Sequence, residues 1–133
     1  MFDEDDYLVS KVVLIGESGV GKTSIIQRFI TNIFNPQQKT TGGANFIEKK
    51  MEINDYKIKF EIWDTVGQER FRSLAKVFYN NASVCIMVYD ITSKKSFDAL
   101  KEYWSEDVKN NVSGSASKSK NNIISLSDRC CRE

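Results

Sequence analysis

The 133 residues suffice for one domain, and an apolar content of 41% is that of an ordinary globular chain. With 19 basic and 18 acidic side chains the net charge is +1, so no overall field directs the chain to nucleic acid or to an acidic substrate. The absence of histidine excludes imidazole general-base catalysis and the common histidine-containing zinc sites, and no apolar run approaches the roughly 20 residues that span a bilayer.

The chain opens Met1-Phe2-Asp3-Glu4-Asp5-Asp6, acidic where an export signal is basic, so secretion is not expected. Residues 7–15 then hold Leu8, Val9, Val12, Val13, Leu14 and Ile15, a nearly continuous apolar run of the kind that suits a strand covered on both faces. A glycine-rich turn follows. Residues 22–30 place Ile25, Ile26, Phe29 and Ile30 on one buried face of a helix. Pro36 and residues 37–43 read as an irregular loop. A hairpin comes next, with strands over residues 44–53 and 56–63 and its turn at Asn54-Asp55. In its second strand Ile58, Phe60 and Ile62 alternate with Lys57, Lys59 and Glu61, which leaves one face buried and one wet.

Residues 67–80 begin as a loop and end as a helix through Leu74, Val77 and Phe78. The run Val84–Tyr89 is again a strand that wants cover on both faces, and Cys85 within it reads as a small core residue. That cysteine usage fits a reducing, intracellular compartment better than a disulfide framework. Thr92-Ser93 starts another helix, on which Phe97, Leu100, Trp104 and Val108 fall on one side. Residues 110–122 are mostly Asn, Ser, Lys and Gly without aromatics, a flexible linker or tail, followed by a brief apolar patch of Ile123, Ile124 and Leu126.

One motif carries chemistry on its own. Gly16-Glu17-Ser18-Gly19-Val20-Gly21-Lys22-Thr23 satisfies G-x-x-x-x-G-K-[ST] at every fixed position, between a strand and a helix. Its glycines allow backbone N–H groups to turn inward around phosphate oxygens, and the helix that starts near Lys22 aims its positive end at the same place. Lys22 can reach the β- and γ-phosphates of a bound triphosphate, and the Thr23 hydroxyl can hold Mg²⁺.

A second motif brings a resemblance. Trp63-Asp64-Thr65-Val66-Gly67-Gln68-Glu69-Arg70-Phe71 resembles the switch II sequence W-D-T-A-G-Q-E-R-F of Rab proteins, small GTPases of the Ras superfamily, with Val66 in place of Ala. The resemblance covers roughly residues 7–109 and implies a partial small GTPase domain there. The fold implied is the α/β, three-layer P-loop NTPase sandwich with a mostly parallel sheet, incomplete here, with the first four strands and three helices. The ligands implied are GTP and GDP with Mg²⁺, bound by Glu17, Ser18, Gly19, Val20, Gly21, Lys22, Thr23 and Ser24. Asp64 would hold the ion through a water, the Gly67 N–H would contact the γ-phosphate, and Gln68 would orient the attacking water. Thr41, 18 residues after Thr23 and 23 before Asp64, matches the switch I threonine that caps Mg²⁺, with Thr40 as the neighbouring candidate. Gly42 adds backbone freedom there, where Rab proteins usually carry a β-branched residue.

Phe34 falls where the family sets an aromatic against the guanine base, although a core or surface phenylalanine reads equally well. Phe46, Trp63 and Phe78 match the triad that Rab proteins present to effectors, and ordinary packing between strand and helix is the alternative. Exchange factors, GTPase-activating proteins and effectors are the partners implied, with no nucleic acid.

Residues 110–133 read as a polar tail ending Cys130-Cys131-Arg132-Glu133, similar to the C-C-x-x ending of doubly prenylated Rab proteins. Two prenyl chains give stable anchoring where one is marginal, and Lys118, Lys120 and Arg129 favour an anionic leaflet. The expected location is the cytoplasmic face of intracellular membranes. The run Thr40-Thr41-Gly42-Gly43-Ala44-Asn45-Phe46 is reminiscent of endosomal members. The family's base-reading N-K-x-D does not occur in the sequence, so the choice of guanine rests on the resemblance. A nucleotide- or effector-binding protein that does not cycle is the alternative function. A P-loop ATPase or kinase is disfavoured by the switch II sequence. Without the family's next strand, the strand at Val84–Tyr89 is expected to form an exposed, apolar sheet edge that invites pairing between chains.

Overall fold

The computed structural model describes residues 6–37, 39, 43, 45–65, 73, 77–78, 81–112 and 122–127. Its sheet is built outward from β1 (Leu8–Ile15), the apolar run whose last four residues are all buried. Strand alternation sends Val13 and Ile15 to one face and Val12 and Leu14 to the other. β3 (Tyr56–Asp64) lies parallel to β1 on one side, from Leu8 opposite Ile58 to Leu14 opposite Asp64. β2 (Asn45–Ile53) pairs antiparallel with β3. The hairpin turn Asn54-Asp55 has positive φ at both residues, 49° and 66°, the twist a two-residue hairpin needs. On the other side of β1 lies β4 (Val84–Tyr89), parallel, from Val12 opposite Val84 to Ile15 opposite Met87.

Both faces of the sheet are covered. α1 (Lys22–Thr31) lays Ile26 over Val12, Leu14, Val20, Ile62 and Val88. It ends at Asn32, whose left-handed φ of 58° turns its amide back to the Arg28 carbonyl. The opposite face is covered by one continuous helical run: α2 (Lys94–Ala99), a π-helical turn (Leu100–Trp104) and α3 (Ser105–Val112). Ser93 caps its start by accepting the Ser96 amide. Leu100, Trp104 and Val108 pack there on Val13, Ile15, Cys85 and Met87. Helix, mostly parallel sheet and helix make the three-layer α/β sandwich that the sequence leads one to expect. Residues 73, 77 and 78 are helical, in the stretch read as ending in a helix. Among the described residues no helix is long and apolar enough to cross a membrane.

Several local expectations are corrected. Leu8 and Val9 at the start of β1 are 59% and 55% exposed, and Phe29 lies outside the buried face of α1. β4 is not a sheet edge, because β5 (Asn122–Ser127) pairs parallel with it along its whole length, from Val84 opposite Asn122 to Tyr89 opposite Ser127. The strand order is β2-β3-β1-β4-β5, so the apolar patch inside the polar tail supplies a fifth strand. The unpaired N–H and C=O groups along β4 are the physical reason, since ladder hydrogen bonds remove them from the edge. Phe97 also leaves the buried stripe. It is 41% exposed and packs on Tyr89 with ring centroids 5.1 Å apart, while Ser96 is buried in its place. A step of three residues falls short of a full turn by about 60°, so Phe97 lies to one side of the Leu100, Trp104, Val108 stripe.

Cys85 is buried as expected, and burial pushes its thiol up to about 11, with Lys11 opposing the shift, so it is a neutral core group near pH 7.

If β5 shields β4, a chain ending at Val112 loses about 2 kcal/mol of stability from the lost ladder, a fall of roughly 10 °C in thermal midpoint, and gains light scattering on warming. An unchanged midpoint measured by circular dichroism, with no added scattering, contradicts the pairing.

Candidate nucleotide-phosphate site

The loop from β1 to α1 lies at the carboxyl ends of the parallel strands, where open α/β sheets bind ligands. Its shape depends on two close approaches. Gly16, at φ +146°, passes so near β4 that a Cβ there stands 2.2 Å from the Val88 carbonyl oxygen. Val20, 2% exposed, plugs the far side of the loop into the core beside Ile26 and Val88. Gly19 (φ +79°) and Gly21 (φ +103°) supply the remaining left-handed turns, and Gly21 is the residue from which α1 starts. Ser18 and Gly19 stay exposed at the tip.

Lys22 folds back under this loop. Its Nζ donates to the carbonyls of Gly16 at 3.0 Å and Glu17 at 2.8 Å. Burial lowers its ammonium to about 8, with the carboxylates of Asp64 and Glu17 pulling it back up. Thr23, the next residue on α1, donates from Oγ1 to Asp64 Oδ2 at 2.6 Å. Asp64 ends β3, is 1% exposed, and keeps its other oxygen, Oδ1, buried without a hydrogen-bond partner. Burial raises the Asp64 carboxyl, and the Thr23 hydrogen bond and the Lys22 charge oppose this. Thr65 donates to the Leu14 carbonyl at 2.6 Å, which fixes the end of β3 against β1.

An orphaned, buried carboxylate oxygen is costly unless something satisfies it. Beside a threonine hydroxyl at the mouth of a phosphate loop, it belongs to a donor set of hard oxygens that suits Mg²⁺. Thr23 and Asp64 therefore fit that ion, and Lys22 with the loop amides fits phosphate.

The structure brings Glu17, Ser18, Gly19, Val20, Gly21, Lys22, Thr23, Ser24 and Asp64 into this one region. Phe34, 36% exposed, follows α1 in the connection to β2. Thr41, Gly67, Gln68, Cys130 and Cys131 lie outside the described residues. Phe46, Trp63 and Phe78 come together on the sheet's flank, with centroid separations of 4.7 Å for Phe46–Trp63 and 5.3 Å for Trp63–Phe78. Phe46 is 45% exposed while Trp63 and Phe78 also touch the core, so core packing and an accessible patch coexist. Sequence reasoning missed the tie from Thr65 to Leu14. It also missed the hydrogen bond from Trp104 Nε1 to Glu17 Oε1, 3.1 Å long.

The model of the Ras family matches residues 11–126. The chain belongs to the Ras family. It is 46% identical over 104 residues to the Ras-like GTP-binding protein RYL2 of Yarrowia lipolytica, an alignment covering 78% of this chain and 49% of that protein. It is 48% identical over 103 residues to human Ras-related protein Rab-30, covering 77% and 51%. It is 46% identical over 96 residues to Ras-related protein RABG3b of Arabidopsis thaliana, covering 72% and 47%. The chain is thus a Rab-type member of the family, and it spans about half the length of the curated relatives it matches.

The contact at Gly16 separates it from its neighbour in the loop. Gly16→Ala, with a Cβ against a main-chain carbonyl and an unfavourable φ, is expected to cost about 3 kcal/mol or more in urea denaturation. Gly19→Ala meets only open space and costs about 1 kcal/mol. Equal costs for the two variants contradict the close approach.

Proposed function

We propose that this chain binds GTP and GDP with Mg²⁺ at the loop between β1 and α1, and that it acts as a Rab-type switch in vesicle transport. The observation that carries the reading is the buried Asp64 oxygen without a partner, held beside Thr23 and Lys22. The names of the relatives, GTP-binding and Ras-related, support the choice of guanine nucleotide.

In this reading the loop amides and Lys22 hold the phosphates. Thr23 and Thr41 would hold Mg²⁺, and Asp64 would hold it through a water. The ion would supply positive charge against the negative charge of the phosphates. Phosphoryl transfer asks the protein for positioning and charge stabilisation, and the residues supply both. Lys22 carries its positive charge on a side chain already fixed by two loop carbonyls. The Gly67 N–H contacts the γ-phosphate, and Gln68 orients the water that attacks it. Phe34 packs on the base.

The clustered rings of Phe46, Trp63 and Phe78 are the surface that effectors read, with exchange factors and GTPase-activating proteins setting the state. Prenylation at Cys130 and Cys131 holds the chain on the cytoplasmic face of an intracellular membrane, endosomal in the reading of residues 40–46. The domain over residues 7–109, its sheet extended by β5, carries the nucleotide, and the end of the stretch 110–133 carries the anchor.

Titration of the purified chain with fluorescent GTP, GDP and ATP analogues, with Mg²⁺ and then with chelator, tests this reading alongside phosphate release. Guanine nucleotides are expected to bind more tightly than adenine, and affinity falls about tenfold or more on chelation. Lys22→Ala is expected to lose about a hundredfold in affinity, one or two charge-assisted hydrogen bonds. Gln68→Leu keeps binding and loses turnover. Weak binding without base preference marks a nucleotide- or effector-binding protein that does not cycle. No binding by the unaltered chain contradicts the phosphate site.

A further inference from the structure

Trp104 is fully buried, and a buried indole N–H requires an acceptor. The acceptor is the Glu17 carboxylate, 87 positions away in the sequence, at 3.1 Å. The remainder of the ring is locked in the core with Val13, Ile15, Cys85, Met87, Leu100 and Val108, and it meets Tyr103 edge-on at 5.2 Å. The indole N–H is therefore a donor on a rigid support. It sits at the end of the π-helical turn, where the Ser105 amide reaches back to the Leu100 carbonyl instead of the usual residue four before it. Such turns give up good helical geometry and recur where a side chain has to be aimed at a functional site.

Glu17 has a second attachment. Its main-chain carbonyl accepts the shorter of the two Lys22 hydrogen bonds, at 2.8 Å. One residue therefore joins the helical layer, through its side chain, to the phosphate-binding lysine, through its backbone. Gly16 is fixed by the approach to Val88, and Val20 by the core. Glu17 lies between these anchors beside the exposed tip of Ser18 and Gly19. Its carboxylate is also an anion in the neighbourhood of a site for anions, and the indole N–H holds it toward the helical layer. A loop fixed in advance binds with a smaller ordering cost.

We propose that Trp104 is a positioning residue for the phosphate loop: its indole N–H pins the Glu17 carboxylate, and so sets the Glu17 carbonyl and Lys22 in their phosphate-ready places. The proposal rests on the phosphate-binding reading of this loop. No nucleotide contact is assigned to Trp104 itself.

The sequence has two tryptophans, so the indole N–H region of an amide correlation spectrum of the full chain holds two peaks, and Trp63→Phe assigns them. In nucleotide-free protein, Glu17→Ala is expected to shift the Trp104 peak and leave that of Trp63 in place. Trp104→Phe, which keeps an aromatic ring and removes the donor, is expected to shift the amides of Glu17, Gly19 and Lys22. With Mg·GTP analogue bound, Trp104→Phe speeds nucleotide release about fivefold to tenfold, the scale of one ordinary hydrogen bond. Glu17→Ala does the same, the double variant is no faster than either alone, and Glu17→Gln, with an amide oxygen as acceptor, recovers most of what Glu17→Ala loses. A Trp104 peak indifferent to Glu17→Ala, loop amides indifferent to Trp104→Phe, or release rates that multiply in the double variant each overturn the proposal. The nucleotide-free spectra decide the link even if no nucleotide binds, in which case the phosphate reading alone has failed. If Trp104→Phe does not fold, Glu17→Ala decides through the Trp104 peak.

Discussion

The 2.6 Å hydrogen bond from Thr23 to Asp64 joins the first turn of α1 to the last residue of β3, 41 positions further along the chain. The rest of the site depends on that junction being in register. It requires the end of β3 to lie level with the end of β1, which the pairing of Leu14 with Asp64 provides and the Thr65 bond to Leu14 reinforces. It also requires α1 to start at one place, and this Gly21 sets by taking a left-handed φ of 103°. The result is a carboxylate buried with one oxygen satisfied and the other without a partner. A core selected for stability alone does not retain such a group, because the unsatisfied oxygen and the lowered Lys22 both cost folding free energy. Their survival side by side is the strongest physical sign of function in the molecule.

Around that junction the loop is held from several directions. β4 limits it at Gly16, the core takes Val20, Lys22 ties its own loop carbonyls together, and Trp104 reaches it from the opposite layer. Only the tip around Ser18 and Gly19 is exposed. A rigid base with an open tip suits recognition by backbone amides, which have to be fixed before the ligand arrives if they are to contribute affinity. The aromatic cluster of Phe46, Trp63 and Phe78 is anchored on the same β3 whose end carries Asp64, since Trp63 is its neighbour in the chain. The proposed phosphate site and the aromatic cluster therefore share one strand.

Much of this was legible in the sequence. β4 and the second half of β1 announce themselves because strands covered on both faces are written as apolar runs, and β3 because alternation marks one apolar and one polar face. The phosphate loop is legible because its chemistry requires glycine, lysine and threonine at fixed spacing. Other features depend on choices that no local pattern encodes. β5 rests on six residues inside a polar stretch, and its only signal was Ile123, Ile124 and Leu126. The exposure of Phe97 depends on its phase, since it stands three residues before Leu100 and so about 60° to one side of the buried stripe, a margin that a three-or-four-residue spacing pattern does not resolve. The pairing of Trp104 with Glu17 joins residues 87 apart, and the one clue was a tryptophan on the buried stripe whose N–H needed a partner. Orphaned oxygens such as Asp64 Oδ1 become visible only once the surrounding atoms are in place.

In the proposed function Asp64 and Thr23 form the cation end of a triphosphate site. Its most direct test replaces Mg²⁺ with Mn²⁺ and follows amide signals of the full chain as Mn·GTP is added, since paramagnetic broadening falls off steeply with distance. The expected result is broadening that begins at Thr23, Asp64 and their chain neighbours, and that is abolished at Asp64→Asn without loss of the folded spectrum. Broadening that begins elsewhere, or that persists unchanged in Asp64→Asn, contradicts the account.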